Sequence, residues 1–459
     1  MNKLKVGYGK ANINPPLGIS VAGYYIPRFA KGFLDDLEVS AIVMSCDDTK
    51  IAVISVDSCF IDKIYIDRFI ETIEKNTGIK KENVFLSATH THTGPGPLLG
   101  GVNPPEEEER LQRYYDFLEV RISDAVKLAE LDLKPAKMGY IVGQAPERVA
   151  YIRRYKMKDG TTMTCPSVND PNIDHPIGEL DQRVNVVRFD REGGESIVIV
   201  NYGLHVDTVN GDLISSDWVG WMRRTIDKAL DGVKSMLICG AQGDVGSTNV
   251  NPKDGDMNDT EISFDNEMKS PGMARFVGRA IAGTVLQVYD KVKYIDVDEI
   301  KFLHNTIKIP SNMPKPEELP LAHKYKELHD AGRDDEIPYD AMELTTVVAE
   351  AARMCRLENG PEFFELDLSG IKFGGVALIG IPGEPFTGVG VGIKDTAGWE
   401  LIMPCALVNG YVGYFPMKSA YDEGGYEARS SSFKSGVAER IIEGGKALLE
   451  KLDSGVSKI

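Results

Sequence analysis

The feature that most constrains this chain is a pair of histidines at the end of an apolar run, where residues 88–97 read ATHTHTGPGP. Residues 83–88 predict a buried strand, and the two Gly-Pro pairs that follow would end any strand or helix. Because side chains at i and i+2 of a strand project from one face, His90 and His92 can converge at a sheet edge. This arrangement favours a metal site. A buried core histidine beside a hydrogen-bonding loop histidine would give the same pattern.

Strand and helix signals alternate through the first ninety or so residues. The predicted elements are strands at 36–46, 50–56 and 83–88 and, before the last of these, a helix with apolar positions at Ile64, Phe69 and Ile73 that ends near Gly78. This β-α-β pattern delivers the two histidines to the carboxyl edge of a sheet, where open α/β sheets usually carry their sites.

The rest of the chain continues this alternation. The predicted strands are 138–142, 150–155, 183–189, 197–202 and 235–239, with a hairpin turn at 157–160, and the predicted helices are 111–133, 274–288, 317–331, 339–358 and 436–452. No stretch resembles a linker, so we expect one unit spanning residues 1–459, with a surface insertion at 251–269 and a helical hairpin insertion at 315–360. The predicted fold class is α/β, with mixed β-sheets flanked by helices.

Two later strands also end on potential metal ligands. The strand at 197–202 leads to His205, and an apolar run leads to Ile381-Pro382-Gly383-Glu384. Ser216 or Asp217 could cap the helix that begins after His205. Asp217 could instead orient the imidazole of His205, because metal-bound histidines usually need a partner on the second ring nitrogen.

A glycine-rich loop, residues 240–249, follows the strand at 235–239. It lacks the Gly-Lys-Ser/Thr ending of a phosphate-binding loop, but Gly243 and Gly246 would allow backbone amides to approach a substrate. The adjacent Arg153 and Arg154 lie in a predicted strand and should face opposite ways, so at most one of them should reach a site. Two solvent-facing ion pairs are the alternative reading of these arginines.

Charge and hydrophobicity narrow the functional classes. The net charge of −17 argues against attraction to nucleic acid or to an anionic membrane surface. The amino terminus lacks the apolar core of a secretory signal, and no run approaches the length of a membrane span, so we expect a cytoplasmic protein without stable membrane insertion. The six cysteines stand singly, which favours reduced thiols over disulfides.

Four motifs occur in a fixed order along the chain. They are residues 89–95 (THTHTGP), His205 with residues 215–217 (SSD), residues 382–384 (PGE), and Tyr414 with Tyr421 and Tyr426. In order and spacing, from Pro15 to about Ala438, the chain resembles the neutral/alkaline, non-lysosomal ceramidase family.

The resemblance implies a ceramidase-like catalytic domain that hydrolyses amides with zinc and a metal-activated water. It assigns zinc ligation to His90, His205, Glu384 and Tyr414. It assigns contact with the scissile amide to His92, Arg153 and Tyr426, and it places Gly23 in the lining of the site. Two imidazoles and a carboxylate are ligand types found at catalytic zinc.

The substrate is predicted from two departures from that family. Gly246 stands in register with a family serine and Ser247 comes one residue later, so we expect no serine nucleophile. Secreted ceramidases also carry an immunoglobulin-like carboxyl-terminal domain, whereas this sequence ends after the helix at 436–452. We therefore expect a small, water-soluble amide or ester as substrate. A homo-oligomer is compatible with the sequence.

Other functional classes remain open at this point. One is a metal-dependent lyase, or another non-hydrolytic enzyme, acting on a polyhydroxylated metabolite. Another is a true ceramidase acting on an N-acyl sphingoid lipid. The last is a metal-stabilised binding protein without turnover. Incorporation of oxygen from labelled water into an acid product separates hydrolysis from the lyase and the binding protein.

Overall fold

The computed structural model describes residues 3–99, 103–253 and 269–454. Within these ranges the helices are α1 (Lys63–Thr77), α2 (Pro105–Leu131), α3 (Asp217–Ala229), α4 (Pro271–Val288), α5 (Leu319–Asp330), α6 (Ala341–Leu357), α7 (Thr387–Lys394), α8 (Lys418–Glu423), α9 (Tyr426–Ser430) and α10 (Val437–Ser454). None of these helices is both long and apolar enough to span a membrane.

The strands of the described ranges are β1 (Lys5–Asn12), β2 (Gly32–Phe33), β3 (Glu38–Cys46), β4 (Thr49–Val56), β5 (Val84–Ala88), β6 (Lys134–Gln144), β7 (Tyr151–Ile152), β8 (Arg154–Met157), β9 (Thr162–Thr164), β10 (Ile173–Pro176), β11 (Arg183–Arg191), β12 (Ser196–Tyr202), β13 (Leu213–Ile214), β14 (Val233–Cys239), β15 (Val245–Gly246), β16 (Lys293–Ile295), β17 (Ile300–Pro310), β18 (Phe363–Phe373), β19 (Val376–Gly380), β20 (Glu384–Pro385), β21 (Leu401–Cys405) and β22 (Tyr414–Phe415). The predicted α/β class with mixed sheets flanked by helices is confirmed.

Two sheets form the centre of the molecule. The larger has nine strands, in the order β14-β12-β11-β6-β1-β3-β4-β5 with β16 beside β6, and the smaller has the order β17-β18-β19-β21. Most neighbours are antiparallel, but β4 with β5, β12 with β14, and β19 with β21 run parallel. Within each parallel pair both strands end at the same edge of their sheet, and the candidate ligands follow β5, β12 and β19.

The two sheets pack face to face between helical layers. Buried side chains of the large sheet, including Ile42 and Phe85, share one core cluster with Ile371 and Leu378 of the small sheet. Helices α1 and α2 cover part of the outer face of the large sheet, and α3 and α4 cover another part. Helix α10 covers the outer face of the small sheet. Strands with two covered faces need continuous apolar runs, as the sequence of β4 and β12 shows.

Helix α2 lies unusually close to β1 because β1 carries two glycines facing it. A Cβ atom on Gly7 would lie 1.9 Å from the carbonyl oxygen of Ala129, and one on Gly9 would lie 2.1 Å from that of Ala125. Any side chain at either position would push the helix away from the sheet.

Several sequence predictions require correction. Ile64 was expected on the buried face of α1 but is 75% exposed, and Ile66 is buried instead. The strand expected at 150–155 is interrupted at Arg153, which separates β7 from β8. Ser216 precedes α3 but makes no side-chain capping hydrogen bond. The surface insertion predicted at 251–269 falls, apart from 251–253 and Lys269, outside the described residues.

Helices α5 and α6 fall within the predicted hairpin at 315–360 and pack on each other through their own apolar cluster. The α5–α6 hairpin is bound to the short helix α9 by ion pairs. Arg429 of α9 forms ion pairs of 2.6 Å with Glu343 and with Glu350 of α6. The hairpin therefore lies against the segment that carries Tyr426.

Candidate metal centre and active site

Three of the predicted metal ligands meet in the interior, where the two sheets come together. The Nε2 atom of His90 lies 3.0 Å from Oε2 of Glu384, and Nε2 of His205 lies 3.2 Å from the same oxygen. All three side chains are at most 2% exposed. The elements that deliver them are the segments after β5 and β12 and the start of β20.

The remaining ring nitrogens of the two ligand histidines are held by backbone carbonyls. Nδ1 of His90 lies 2.7 Å from the carbonyl oxygen of Cys59, and Nδ1 of His205 lies 2.9 Å from that of Gln242. In the neutral form of each ring, Nδ1 therefore carries the proton and Nε2 presents a lone pair to the carboxylate of Glu384. In that form three electron-pair donors converge at one point. A buried cation satisfies this arrangement, and the donor set fits zinc.

The pKa values of His90, His205 and Glu384 are shifted by burial and by neighbouring charges, including those of one another. Burial alone would lower the pKa of His90, but the Glu384 carboxylate outweighs it and raises that pKa well above the usual value. Burial lowers the pKa of His205 to about 4, and the charge of Arg153 acts in the same direction. Burial would raise the pKa of Glu384, yet His90 and His205 hold it well below the usual range. His205 is therefore neutral at pH 7, the form in which it can bind a metal.

His90 and His92 come together by a different route from the one the sequence suggested. Strand β5 ends at Ala88, and His90 has a φ of +77°, in the left-handed region that non-glycine residues seldom occupy. Nevertheless, Nε2 of His92 lies 3.3 Å from Nε2 of His90. A turn, and not the pleat of a strand, brings the two rings together. Strained backbone of this kind often occurs at functional sites.

Tyr411 was not among the predicted site residues, although it contacts Glu384, one of the three candidate ligands. Its hydroxyl donates a hydrogen bond of 3.0 Å to Oε1 of Glu384, and its ring stacks on Phe60 at a centroid distance of 4.4 Å. Tyr411 thus fixes the carboxylate so that Oε2 faces the histidines. The sequence did not single out Tyr411, because it lies in a loop with two other aromatic residues.

Tyr414, Tyr426 and Arg153 lie together beside the trio. Strand β22 pairs with β20 so that Tyr414 stands opposite Glu384. The Tyr414 and Tyr426 rings meet edge to face at 5.6 Å, and the guanidinium carbon of Arg153 lies 5.3 Å from the Tyr414 ring centre. Nη1 of Arg153 lies 3.1 Å from Nε2 of His205. The structure therefore brings all the predicted ligands and amide-contacting residues into one neighbourhood.

Two solved structures share this arrangement of sheets and helices. A crystal structure of neutral ceramidase from Pseudomonas aeruginosa aligns with a TM-score of 0.71 and 17% identity, over 100% of this chain and 76% of that chain. A ceramidase complexed with C2 aligns with the same TM-score and identity, over 100% of this chain and 77% of that one. No protein family model matches the chain.

The fold is that of a neutral ceramidase. At this level of identity the likeness concerns the fold alone.

Gly23 packs against the ring of His92. It has a φ of +102°, and a Cβ atom there would lie 2.6 Å from Nδ1 of His92. Only glycine fits both the backbone conformation and the space. On the same side of that ring, Asp207 lies 3.9 Å from Nδ1 and forms an ion pair of 2.5 Å with Lys269. The surroundings of Nδ1 of His92 therefore include charged groups, which the sequence did not reveal.

The glycine-rich loop of this ceramidase-like fold is placed differently from the prediction. The N–H of Gly243 donates to the carbonyl oxygen of Pro385 at 2.8 Å, and a Cβ atom at Gly243 would lie 2.6 Å from the carbonyl oxygen of Glu384. The expectation of a free Gly243 amide is therefore wrong, because this glycine joins the loop to β20. Gly246 lies in β15 beside the side chain of Arg153. Ser247 is buried, and its hydroxyl has no hydrogen-bond partner among the described residues.

Asp217 does not hold the ring of His205. Its carboxylate accepts hydrogen bonds from the backbone N–H groups of Thr208, at 2.8 Å, and Val209, at 2.9 Å. The suggested role of Asp217 in orienting the imidazole is wrong, because the Nδ1 atom of His205 is already hydrogen-bonded to backbone carbonyl oxygens. Asp217 instead fixes the loop between His205 and α3.

Proposed function

We propose that this protein is a zinc-dependent hydrolase that cleaves the amide or ester bond of a small, water-soluble substrate. His90, His205 and Glu384 hold the metal, and Tyr414 is the fourth protein ligand. The observation that carries the proposal is the meeting of two imidazole lone pairs with one carboxylate oxygen in a buried site. When bound there, zinc would lower the pKa of a coordinated water and polarise a carbonyl group.

The protein's own residues account for the rest of the chemistry. Arg153 points Nη1 at the lone pair of His205 that the metal would take. With that lone pair engaged, the Arg153 donor is free to stabilise negative charge on the carbonyl oxygen. His92 and Tyr426 flank the same space and contact the scissile group. Gly23 allows the His92 ring to sit in place without a side chain behind it.

The polar surroundings of His92 support a water-soluble substrate. Lys269 contacts both Asp207, at 2.5 Å, and the hydroxyl of Tyr24, at 2.9 Å. The guanidinium of Arg28 lies over the Tyr24 ring at 4.0 Å. The Asp207 and Lys269 side chains are 16% and 27% exposed, so this charged cluster is within reach of solvent. A polar group on the substrate would be matched there, whereas an alkyl chain would leave the charges without water.

A lipid amide is a second candidate substrate, favoured by one observation. Residues 17–34, which include Gly23 and Tyr24, also carry a set of exposed apolar side chains. These are Leu17, Ile26, Phe29, Phe33 and Leu34, each between 39% and 70% exposed. Apolar side chains beside a site are a common feature of proteins that receive lipids.

Elemental analysis and product analysis test the proposal. The purified protein should contain one zinc per chain and should hydrolyse members of a panel of N-acyl amino acids, short amides and p-nitrophenyl esters in preference to long-chain ceramide. In ¹⁸O-labelled water the acid product should gain one labelled oxygen. Turnover without label would contradict hydrolysis, and zinc binding without turnover on the whole panel would contradict an enzymatic role.

A further inference from the structure

Glu427 is a buried carboxylate that the proposed chemistry does not use. It follows Tyr426 in α9 and has 0% exposure. One carboxylate oxygen, Oε1, lies 2.7 Å from Nε of Arg153. The other, Oε2, accepts a hydrogen bond of 2.7 Å from the hydroxyl of Thr164. A carboxylate is costly to remove from water unless it is paired, and here the partner is the guanidinium of Arg153.

Arg153 needs such support because its side chain is long. A free arginine loses much of its rotamer freedom when it is fixed in one geometry. Arg153 reaches from the break between β7 and β8 to within 3.1 Å of His205, along the face of Tyr414. Its Nη2 atom is buried without a hydrogen-bond partner among the described residues. Glu427 forms its ion pair at Nε, without hydrogen-bond geometry, and so leaves Nη1 directed towards His205.

The neighbouring Arg154 does not compete for this role. Its Nε lies 3.8 Å from Glu427, but its Nη1 pairs with Glu423 at 3.0 Å and its Nη2 donates to the carbonyl of Gly424 at 2.9 Å. Its guanidinium also lies 5.4 Å from the Phe386 ring centre. Both Nη atoms of Arg154 are therefore paired with other groups, and the shortest contact of Glu427 to an arginine is with Arg153.

We propose that Glu427 is a positioning residue that holds Arg153 towards the substrate oxygen, with Thr164 fixing the carboxylate from behind. This inference rests on the proposed hydrolase function. It predicts that the charge and the length of the residue at 427 set kcat without changing metal binding. A displacement of about 1 Å in such a donor can cost on the order of a hundredfold in rate.

Two variants and one control test the role of Glu427. Glu427→Gln removes the charge and keeps the shape, whereas Glu427→Asp keeps the charge and withdraws it by one methylene. Glu423→Gln changes the carboxylate that serves Arg154. With p-nitrophenyl acetate as the probe, both Glu427 variants should lose at least tenfold in kcat with KM within twofold, and Glu423→Gln should retain wild-type kcat. Should Glu427→Gln fail to fold, Glu427→Asp decides, because it leaves no buried arginine without a counter-ion.

A second readout does not depend on turnover. In the cobalt-loaded protein, visible absorption reports both the metal site and the binding of acetohydroxamate, an anionic amide analogue. Glu427→Asp should show the wild-type cobalt spectrum and at least tenfold weaker acetohydroxamate binding. In an Arg153→Ala background, the Glu427→Asp change should have no further effect, since a residue that acts through Arg153 has nothing left to position.

The results that would overturn the inference are specific. One is a folded Glu427→Asp variant with wild-type kcat and wild-type acetohydroxamate affinity. Another is an equal loss from Glu427→Asp with and without Arg153. A wild-type protein that binds cobalt and acetohydroxamate but turns over no substrate would count against the proposed hydrolase alone, and the acetohydroxamate series would still decide the role of Glu427.

Discussion

His90 and His92 stand two residues apart, but their surroundings give them different roles. Nδ1 of His90 is held by a backbone carbonyl at 2.7 Å, whereas Nδ1 of His92 has no hydrogen-bond partner among the described residues. Burial, together with the nearby His90 and His205, lowers the pKa of His92 well below its usual value. A neutral, loosely held imidazole suits contact with a substrate better than fixed ligation.

This difference leads to the first prediction, which concerns metal content. His205→Ala removes one lone pair of the trio and should lose bound zinc, because the remaining ligands no longer surround the ion. His92→Ala is the matched control, since it should retain zinc while losing turnover. Elemental analysis of the two purified variants measures the outcome. Full zinc occupancy in His205→Ala would exclude this ligand assignment.

A second prediction concerns Tyr411. Tyr411→Phe removes the hydrogen bond to Oε1 of Glu384 and leaves the stacking on Phe60 intact. Loss of such an orienting contact typically weakens metal affinity by about 10- to 100-fold. Tyr421→Phe is the control, because its hydroxyl serves the carbonyl of Phe433 instead. Competition with a zinc-binding dye compares the two affinities, and equal values would remove Tyr411 from the metal centre.

The third prediction is that Ser247 is not a nucleophile. A nucleophilic serine needs a base within hydrogen-bond reach, and the Ser247 hydroxyl has no partner among the described residues. Ser247→Ala should therefore keep kcat/KM within about tenfold of wild type, a loss below about 1.4 kcal/mol. Kinetics on the most active ester, and mass spectrometry of the protein during turnover, provide the check. An acyl adduct on Ser247 would contradict the prediction.

At the residue level, the sequence could indicate a candidate site only where the signal was local. His90, His205 and Glu384 each follow an apolar strand run, so their position at strand ends could be inferred. The contacts that complete the site could not be inferred, because they involve backbone carbonyls, such as that of Cys59, or residues distant in the sequence. Tyr411 and Glu427 belong to this second group, and only the fold brings them to their partners.

At the scale of elements, the glycine-rich loop acts as a spacer between β14 and β20. Its Gly243 lies against the backbone of Glu384 and Pro385, and no side chain would fit between them. The sequence correctly indicated a close backbone approach at this loop but named the wrong partner. The backbone neighbour of Gly243 is the strand that carries a ligand, so the loop acts on the metal centre through packing.

A fourth prediction follows for this loop. In Gly243→Ala the new Cβ atom would lie 2.6 Å from the carbonyl oxygen of Glu384, so β20 must move and zinc affinity should fall at least tenfold. Gly283→Ala is the control. It lies in α4 with open space around it and should stabilise the protein by about 1 kcal/mol, as expected for alanine in a helix. Thermal unfolding and zinc titration distinguish the variants, and unchanged zinc affinity in Gly243→Ala would contradict the spacer role.

Backbone irregularities explain why the elements were only partly predictable. The strand break at Arg153 and the positive φ of His90 both occur where the hydrophobic pattern indicates regular structure. Such deviations are maintained by surrounding contacts and not by local preference. The regular elements were predicted because their apolar periodicity is strong: β12 to within one residue, and α2 with its start placed six residues too late.

At the scale of the whole molecule, three of the proposed metal ligands, His90, His205 and Glu384, come from segments more than a hundred residues apart in the chain. Between His90 and Glu384 in the chain lie strands of both sheets and the helices α2 to α6. The sequence could predict the two-faced burial of the strands, but not that the two sheets would face each other across one core. That packing depends on side-chain shape over long range, which periodicity does not encode.

This arrangement gives the fifth prediction. Because the ligands form a site only in the folded chain, zinc at a thousandfold excess over its Kd should stabilise the protein by about 4 kcal/mol. With an unfolding entropy of about 1 kcal/mol/K for a chain of this length, Tm should rise by about 4 °C relative to protein treated with chelator. His205→Ala should show no such shift. Differential scanning calorimetry with and without zinc measures it, and an identical Tm in wild type would contradict a metal that bridges the fold.

The ion pairs between Arg429 of α9 and Glu343 and Glu350 of α6 bear on how this scaffold could be re-engineered. The α5–α6 hairpin is an attractive unit to exchange between proteins of this architecture, since it has its own apolar cluster. A graft that omitted the two glutamates would leave α9 anchored on one side only. Chimaeras should therefore keep this pair of acidic positions as fixed attachment points and vary the remaining surface of the hairpin.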